Sequence, residues 1–324
     1  MNEGTLQNVK RALLAMQRMS WEQGVTAQAF FEIGDNQMGV LLAREAVHRQ
    51  ASDGRLANML FSFANVSFMD PSTDPGSNGE AVLKAYEITK DDSFKLAADR
   101  MRDWFLYKAP KSTDGTIYYT QQSPEIISDA VYMIAPFLAA VGCYDEAIVQ
   151  IEGHKRYLYD PKKRLYHSKW NNGWRKMTAP QFWGGGNGWV AAGLARTYSW
   201  LPKNKHKERE FIKSHLKELV DGWLGYLPEE GIFHDNIDES STFIETTSSL
   251  MLSYAIYKGI KAGSLDGQYL EPANRMREAA FGRIDEYGIV QGAAGAPDFQ
   301  IPGTSAEAQA FAIMSEAAFR DLNA

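Results

Sequence analysis

Two kinds of helical pattern alternate along the chain. In the first kind, small and apolar residues run nearly all the way round the helix, after a polar or glycine-containing start. Six stretches share this design: SWEQGVTAQAFFEIGD (Ser20–Asp35), GSNGEAVLKAYEITKDD (Gly76–Asp92), SDAVYMIAPFLAAVG (Ser128–Gly142), GNGWVAAGLARTYSWL (Gly186–Leu201), ETTSSLMLSYAIYKGIKAG (Glu245–Gly263) and GTSAEAQAFAIMSEAA (Gly303–Ala318). They recur roughly every fifty to sixty residues, a supersecondary repeat length. The second kind is more charged, as in Asp91–Lys108 and Lys205–Leu227, with apolar positions at helical spacing on one face and Lys, Arg and Glu elsewhere. Short turns with β-formers sit between the two kinds: Asp53–Leu56, Asp114–Tyr119, Arg164–Trp170, Glu230–Asp235 and Tyr287–Gly292. They fall at one phase of the repeat, just before the next small-residue helix.

This alternation predicts an all-α chain, an (α/α)6 barrel of six helix hairpins with short extended segments in the mouth loops. Inner helices need small residues because six of them converge on one axis, whereas outer helices face water on one side. A solenoid of helix hairpins would show the same period; the aromatic-rich loops favour the closed form. No Pro/Gly/Ser-rich linker divides the sequence, so residues 1–324 are expected to form a single catalytic domain.

Composition acts mainly by exclusion. The chain is 44% hydrophobic and 23% charged, with a formal net charge of -6 and both signs interspersed, so no nucleic-acid partner is expected. The one cysteine, Cys143, rules out an intrachain disulfide. No C-x-x-C or H-E-x-x-H occurs, and no metal or other cofactor is expected. No stretch is apolar for long enough to span a bilayer, and the amphipathic N-terminus does not read as a secretory signal, so a cytoplasmic protein without membrane contact is expected. The sequence leaves monomer and small homo-oligomer equally open.

The candidate chemistry gathers at the starts of the small-residue helices. In QFWGGGNGWVAAGLARTYSWL (Gln181–Leu201), the run Gly184, Gly185 and Gly186 lies between Trp183 and Trp189, and Asn187-Gly188 opens the helix. Backbone without side chains between two indoles lets a ligand approach closely, with flat apolar walls suited to the C–H faces of a sugar. The alternative is that both tryptophans pack a helix N-terminus. Trp21 and Glu22 open the first small-residue helix, Asp74 and Asn78 precede the second, and Glu245 and Glu307 open the fifth and sixth. Carboxylates at helix N-termini have a plain explanation in capping and the helix dipole, which is the reading for Glu245 and Glu307. Asp129 differs, because a strongly apolar helix follows it at once. A half-buried carboxyl there would hold its proton towards neutrality, as a general acid must. Asp74 lies in a Pro/Ser/Asp/Gly loop where a surface turn is the alternative, and His167 and His234 are lone histidines in extended segments, for which a structural role is the alternative.

These residues resemble the unsaturated glucuronyl and rhamnogalacturonyl hydrolases, glycoside hydrolase families 88 and 105, over most of the chain. The carrying motifs are SDAVYMIAPFLAAVG and FWGGGNGW, with weaker support from LYHSKW, NGEAVLKAYEITKDD and SWEQG. The resemblance implies an (α/α)6 barrel, no cofactor, and a substrate that is an oligosaccharide ending in a 4,5-unsaturated uronate. It implies Asp129 as the acid/base aspartate that protonates C4, with Asp74 as the second carboxylate. It places His167, Trp183 and Trp189 against the sugar, and Asn187, Tyr119, Trp21 and Glu22 are added as candidate substrate contacts. Three departures stand out. Gly185 replaces the arginine that family 105 usually carries between these glycines, Ile127 replaces the aromatic commonly found two residues before the catalytic aspartate, and Tyr118-Tyr119 stand where relatives place a histidine. Losing the arginine removes a planar bidentate donor. Either another cation serves, with Lys169, Arg175 and Lys176 nearest in sequence, or Gly185 opens volume for a different or larger sugar; the second is the expectation. Two further readings share these features: an (α/α)6 glycosidase or epimerase acting on saturated sugars, and a non-catalytic sugar-binding relative.

Overall fold

The computed structural model of the chain describes residues 1–57 and 70–324. Twelve α-helices are found among the described residues. Six form an inner ring: α2 (Ser20–Glu32), α4 (Gly79–Thr89), α6 (Ala130–Ala140), α8 (Gly184–Trp200), α10 (Thr246–Ala262) and α12 (Ala306–Leu322). The outer six are α1 (Glu3–Met16), α3 (Asn36–His48), α5 (Asp92–Asp103), α7 (Tyr144–Leu158), α9 (His206–Leu224) and α11 (Leu270–Phe281). Each inner helix packs against the next, and α12 packs back against α2. That last contact closes the ring, so the (α/α)6 barrel is formed and the open solenoid is excluded.

The two patterns in the sequence map onto the two rings. In α8 every residue from Gly184 to Tyr198 is buried, whereas α5 buries only Phe94, Ala97, Ala98 and Met101. Small residues permit this convergence. A Cβ on Gly193 would lie 2.9 Å from the Tyr132 Cα, so α8 and α6 touch backbone to backbone there. Within the barrel the one deeply buried cation of α8, Arg196, pairs with Glu80 at 2.9 Å and also with Glu32, and it donates to the Tyr254 hydroxyl. Burial pushes the Glu32 carboxyl up, but the Lys258 and Arg196 charges outweigh it and hold it below the usual range.

Four of the five short segments contain a bridge or a short strand, whereas Asp53–Leu56 is a turn. Lys111 bridges Ile117, His234 bridges Ile244 and Ile284 bridges Val290. Strand β2 (Tyr159–Asp160) pairs with β3 (Leu165–Tyr166). Two larger pieces were not expected. One is a three-stranded antiparallel sheet of β1 (Glu125–Ile127), β4 (Lys169–Asn171) and β5 (Lys176–Ala179). The other is the hairpin of β6 (Ala293–Gly295) and β7 (Asp298–Gly303). Both stand at the end of the barrel where the inner helices begin.

Candidate active site

The N-terminal ends of the inner helices surround a cavity of about 450 Å³ at the barrel mouth. Four carboxyl groups line it, those of Asp74, Asp129, Asp235 and Glu307. Asp129 occupies the N-cap position of α6, yet its side chain makes no capping bond. Its Oδ1 instead accepts the Ser128 hydroxyl at 3.0 Å. Burial raises its pKa to about 6, against the lowering effects of that hydrogen bond, its own backbone N–H and the Lys169 charge. Asp74 begins the 3-10 turn Asp74–Asn78 that leads into α4, and it is only 4% exposed. Its pKa is raised to about 7, first by burial and then by the charge of Asp129, while the Thr73 hydroxyl at 3.2 Å works the other way. Two carboxyls that interact this way titrate as a pair. The charge of one ionised carboxyl keeps the remaining proton on the pair towards neutrality. Tyr119 completes this side of the cavity; burial, followed by the charges of Asp74 and Asp129, pushes its phenol well above the ordinary range.

Each of the other two carboxyls accepts an indole N–H. Trp183 Nε1 donates to Asp235 Oδ1 at 3.0 Å, and Trp21 Nε1 donates to Glu307 Oε1. Burial, with the nearby charge of Glu245, lifts Asp235 to about 7. Burial, with the charge of Glu22, lifts Glu307 to about 7 as well. Among the described residues no group of three or more His, Cys, Asp or Glu is placed to hold a metal ion.

Of the residues singled out from the sequence, Asp129, Asp74, Trp183, Trp189, Tyr119 and Trp21 all line the cavity. Trp183 is partly exposed, with its ring and that of Phe299 nearly perpendicular at 5.8 Å between centroids. Trp189 is 3% exposed and packs against Tyr132 and Phe311, so most of its indole belongs to the core. Three expected substrate contacts, Asn187, His167 and Glu22, are not among the residues that line the cavity. Asn187 uses its whole amide to clamp β3 onto α8: its Oδ1 accepts the Tyr166 N–H at 2.8 Å, and its Nδ2 donates to the Tyr166 and Trp183 carbonyls, each at 2.9 Å. His167 stacks on Phe182 and bonds the Pro180 carbonyl through Nδ1. Glu22 accepts the backbone N–H groups of Met19 and Arg18, as a capping carboxylate does.

Glu245 also caps as expected, accepting from Thr247 N at 2.9 Å and Ser248 N at 2.7 Å. Glu307 does not, since Ser305 is the capping residue of α12 and Glu307 Oε2 has no partner. Asp235, Gln181 and the Phe299-Gln300 tip of the β6–β7 hairpin also line the cavity, although no sequence motif singles them out. Asp235 was within reach, for its segment Glu230–Asp235 sits at the same repeat phase as Arg164–Trp170.

Gly185 is a second correction. A Cβ there would lie 2.5 Å from Cζ2 of Trp183, so the indole already covers the position where an arginine would start. A gap of only about 10 Å³ remains beneath Trp183 and Trp189. Glycine at this position therefore makes room for the tryptophan, not for a larger sugar.

The sequence profile described as Glycosyl Hydrolase Family 88 matches residues 2–312. The chain belongs to glycosyl hydrolase family 88. It is similar to the unsaturated rhamnogalacturonyl hydrolase YesR of Bacillus subtilis, with 24% identity over 281 residues, 81% of this chain and 76% of the relative. Among solved structures it resembles a possible member of family 105 from Salmonella enterica, with a TM-score of 0.83 at 15% identity, covering 98% of this chain and 93% of the other. It also resembles the unsaturated glucuronyl hydrolase of Bacillus sp. GL1, with a TM-score of 0.71 at 16% identity, covering 98% and 94%. At such identities the solved structures speak for the fold, and they agree with the closed barrel. No helix among the described residues of this family 88 chain is long and apolar enough to cross a membrane.

Proposed function

We propose that this family 88 chain is a hydrolase that removes a 4,5-unsaturated uronic acid, glucuronyl or galacturonyl, from the non-reducing end of lyase-generated oligosaccharides, with rhamnose as the next sugar. The observation that carries the reading is the proton-holding pair Asp74 and Asp129 in a cavity walled by Trp183. A carboxyl with a pKa near the working pH is what protonation of an enol ether carbon requires.

In the proposed reaction Asp129 gives its proton to C4, and positive charge develops at C5 and the ring oxygen. Water adds at C5 and gives up a proton to the ionised carboxylate, which restores the pair. The hemiketal so formed opens to a ketone at C5, and the hemiacetal left at C1 expels the next sugar as an alcohol. One water is consumed, and no cofactor enters. Asp74 shares that proton with Asp129 in the resting pair, and the negative charge of the pair once ionised stabilises the oxocarbenium-like state. Residues 1–324 serve as one catalytic domain, a reading supported by the continuous core that runs from Leu6 to Ala318. The assay is the loss of ultraviolet absorbance of the C4=C5 bond when the protein meets lyase digests of several uronate polysaccharides. An enzyme that instead cleaves saturated glycosides, leaving that absorbance untouched, would contradict the proposal.

A further inference from the structure

The substrate of this proposed reaction is an anion, and it must enter a cavity that already holds four carboxyl groups. An anionic group taken out of water without partners costs several kcal/mol. Two of the donors around the cavity are already in use. The indole N–H of Trp183 is given to Asp235, and that of Trp21 to Glu307. The position of the family 105 arginine is Gly185, and the Trp183 ring covers it. Arg175 and Lys176, also close in sequence, lie outside the cavity lining, and Lys176 instead sits over the Trp174 ring.

Lys169 is the one cationic side chain among the described residues that line the cavity. Its position follows from the sheet. In the β1–β4 ladder Lys169 is directly opposite Ile127, two residues before Asp129. Directly opposed residues of an antiparallel pair present their side chains to the same face, and Ile127 and Lys169 both line the cavity. The Lys169 charge is felt at Asp129. Its present partner is Glu125 Oε2, at 3.4 Å, with the lysine side chain 35% exposed. A long, partly solvated ion pair contributes little and exchanges readily for a better-placed anion.

We propose that Lys169 receives the carboxylate of the unsaturated uronate, and so takes over the charge recognition that the arginine of the glycine loop would supply. This rests on the hydrolase reading above. Lys169 is then a specificity-determining residue: it selects an acid over a neutral sugar of the same shape, and it orients C4 towards Asp129. Its flexible ammonium is a point charge, not a fork, so it selects charge with less demand on geometry than an arginine would.

The experiment compares kcat/KM for an unsaturated uronyl disaccharide and for its methyl ester, in wild type, Lys169→Gln and Lys169→Arg. Removing Lys169 also changes the acidity of Asp129, but that change acts on both substrates alike, so the acid-to-ester ratio isolates recognition of the carboxylate. Wild type is expected to prefer the acid. In Lys169→Gln the ratio should fall by about ten- to a hundredfold, the worth of a charge-assisted hydrogen bond, mainly through KM of the acid. Lys169→Arg should recover most of it. An unchanged ratio in Lys169→Gln, including an equal loss on both substrates, overturns the assignment while leaving the hydrolase reading intact. Wild type that consumes neither substrate overturns the hydrolase reading, and the role of Lys169 with it. Thermal melts of both variants exclude misfolding as the source of any change.

Discussion

Replacing Asp129 with asparagine tests burial, chemistry and stability in one variant. The amide keeps the shape of the carboxyl and can still accept the Ser128 hydroxyl at Oδ1, so the fold should survive. The acid is lost, and general acid catalysis is worth about 10²–10⁴-fold, so the rate should fall by that order. The effect on stability runs the other way. Folding raises the Asp129 pKa from 3.8 to about 6, so between those values the native state binds more protons than the unfolded chain. Stability linked to this group is complete below the unfolded pKa and is lost as pH rises through about 6. At one pKa unit per ~1.4 kcal/mol, the ionised carboxylate costs the native protein at most about 3 kcal/mol at neutral pH. Asparagine removes that cost. The variant should therefore melt higher than wild type at pH 7, with the gap closing towards pH 4. It should also relieve Asp74, whose raised pKa owes its second contribution to the charge of Asp129. Rate is followed by ultraviolet loss of the C4=C5 bond, and stability by thermal melts across that pH range. Near-wild-type turnover would refute the proton-donor role, and a variant that is less stable at pH 7 than at pH 4, relative to wild type, would refute the account of its burial.

Other perturbations separate roles that the sequence alone leaves merged. Trp189→Ala should lose about 3–5 kcal/mol as its core contacts with Tyr132 and Phe311 vanish, read as a drop in Tm, whereas Trp183→Ala should chiefly raise KM with a small change in Tm; the reverse pattern would exchange their roles. Gly185→Arg should lose both stability and activity, because the Trp183 ring occupies the path of the new side chain; an active and stable variant would mean that the indole yields easily. Arg196→Met should cost about 3–5 kcal/mol in denaturant unfolding by leaving Glu80 and Glu32 buried without their shared cation, and a change below 1 kcal/mol would show that water reaches those carboxylates.

The architecture was legible because it depends on short-range chemistry. Whether a helix is small and apolar all round, as in Ser128–Gly142, or striped, as in Asp91–Lys108, is a property of neighbouring residues, and it decides which ring the helix joins. Closure of the ring was supported by the sequence but decided by the packing of α12 on α2. The placement of Asp129 was legible for the same short-range reason: a carboxylate against an apolar helix has few ways to be comfortable.

What an asparagine, a histidine or a glycine does in this site was not legible, because it depends on partners far away in the chain. Asn187 reads as a loop amide exposed to ligand until β3 arrives and takes its hydrogen bonds. His167 stands in a motif that suggests contact with sugar, yet the Pro180 carbonyl, thirteen residues on, claims its ring nitrogen. Gly185 suggests empty space, and only the folded loop shows that Trp183 fills it. Asp235, from the segment before the fifth inner helix, joins the cavity because the barrel gathers all its mouth loops at one end. The sequence by itself determined the rings, the mouth and the buried carboxyl that lines it, since periodicity and local polarity are written residue by residue. The tertiary structure alone decided which polar groups remain free for a ligand, since hydrogen-bonding capacity is spent between segments that the sequence holds far apart.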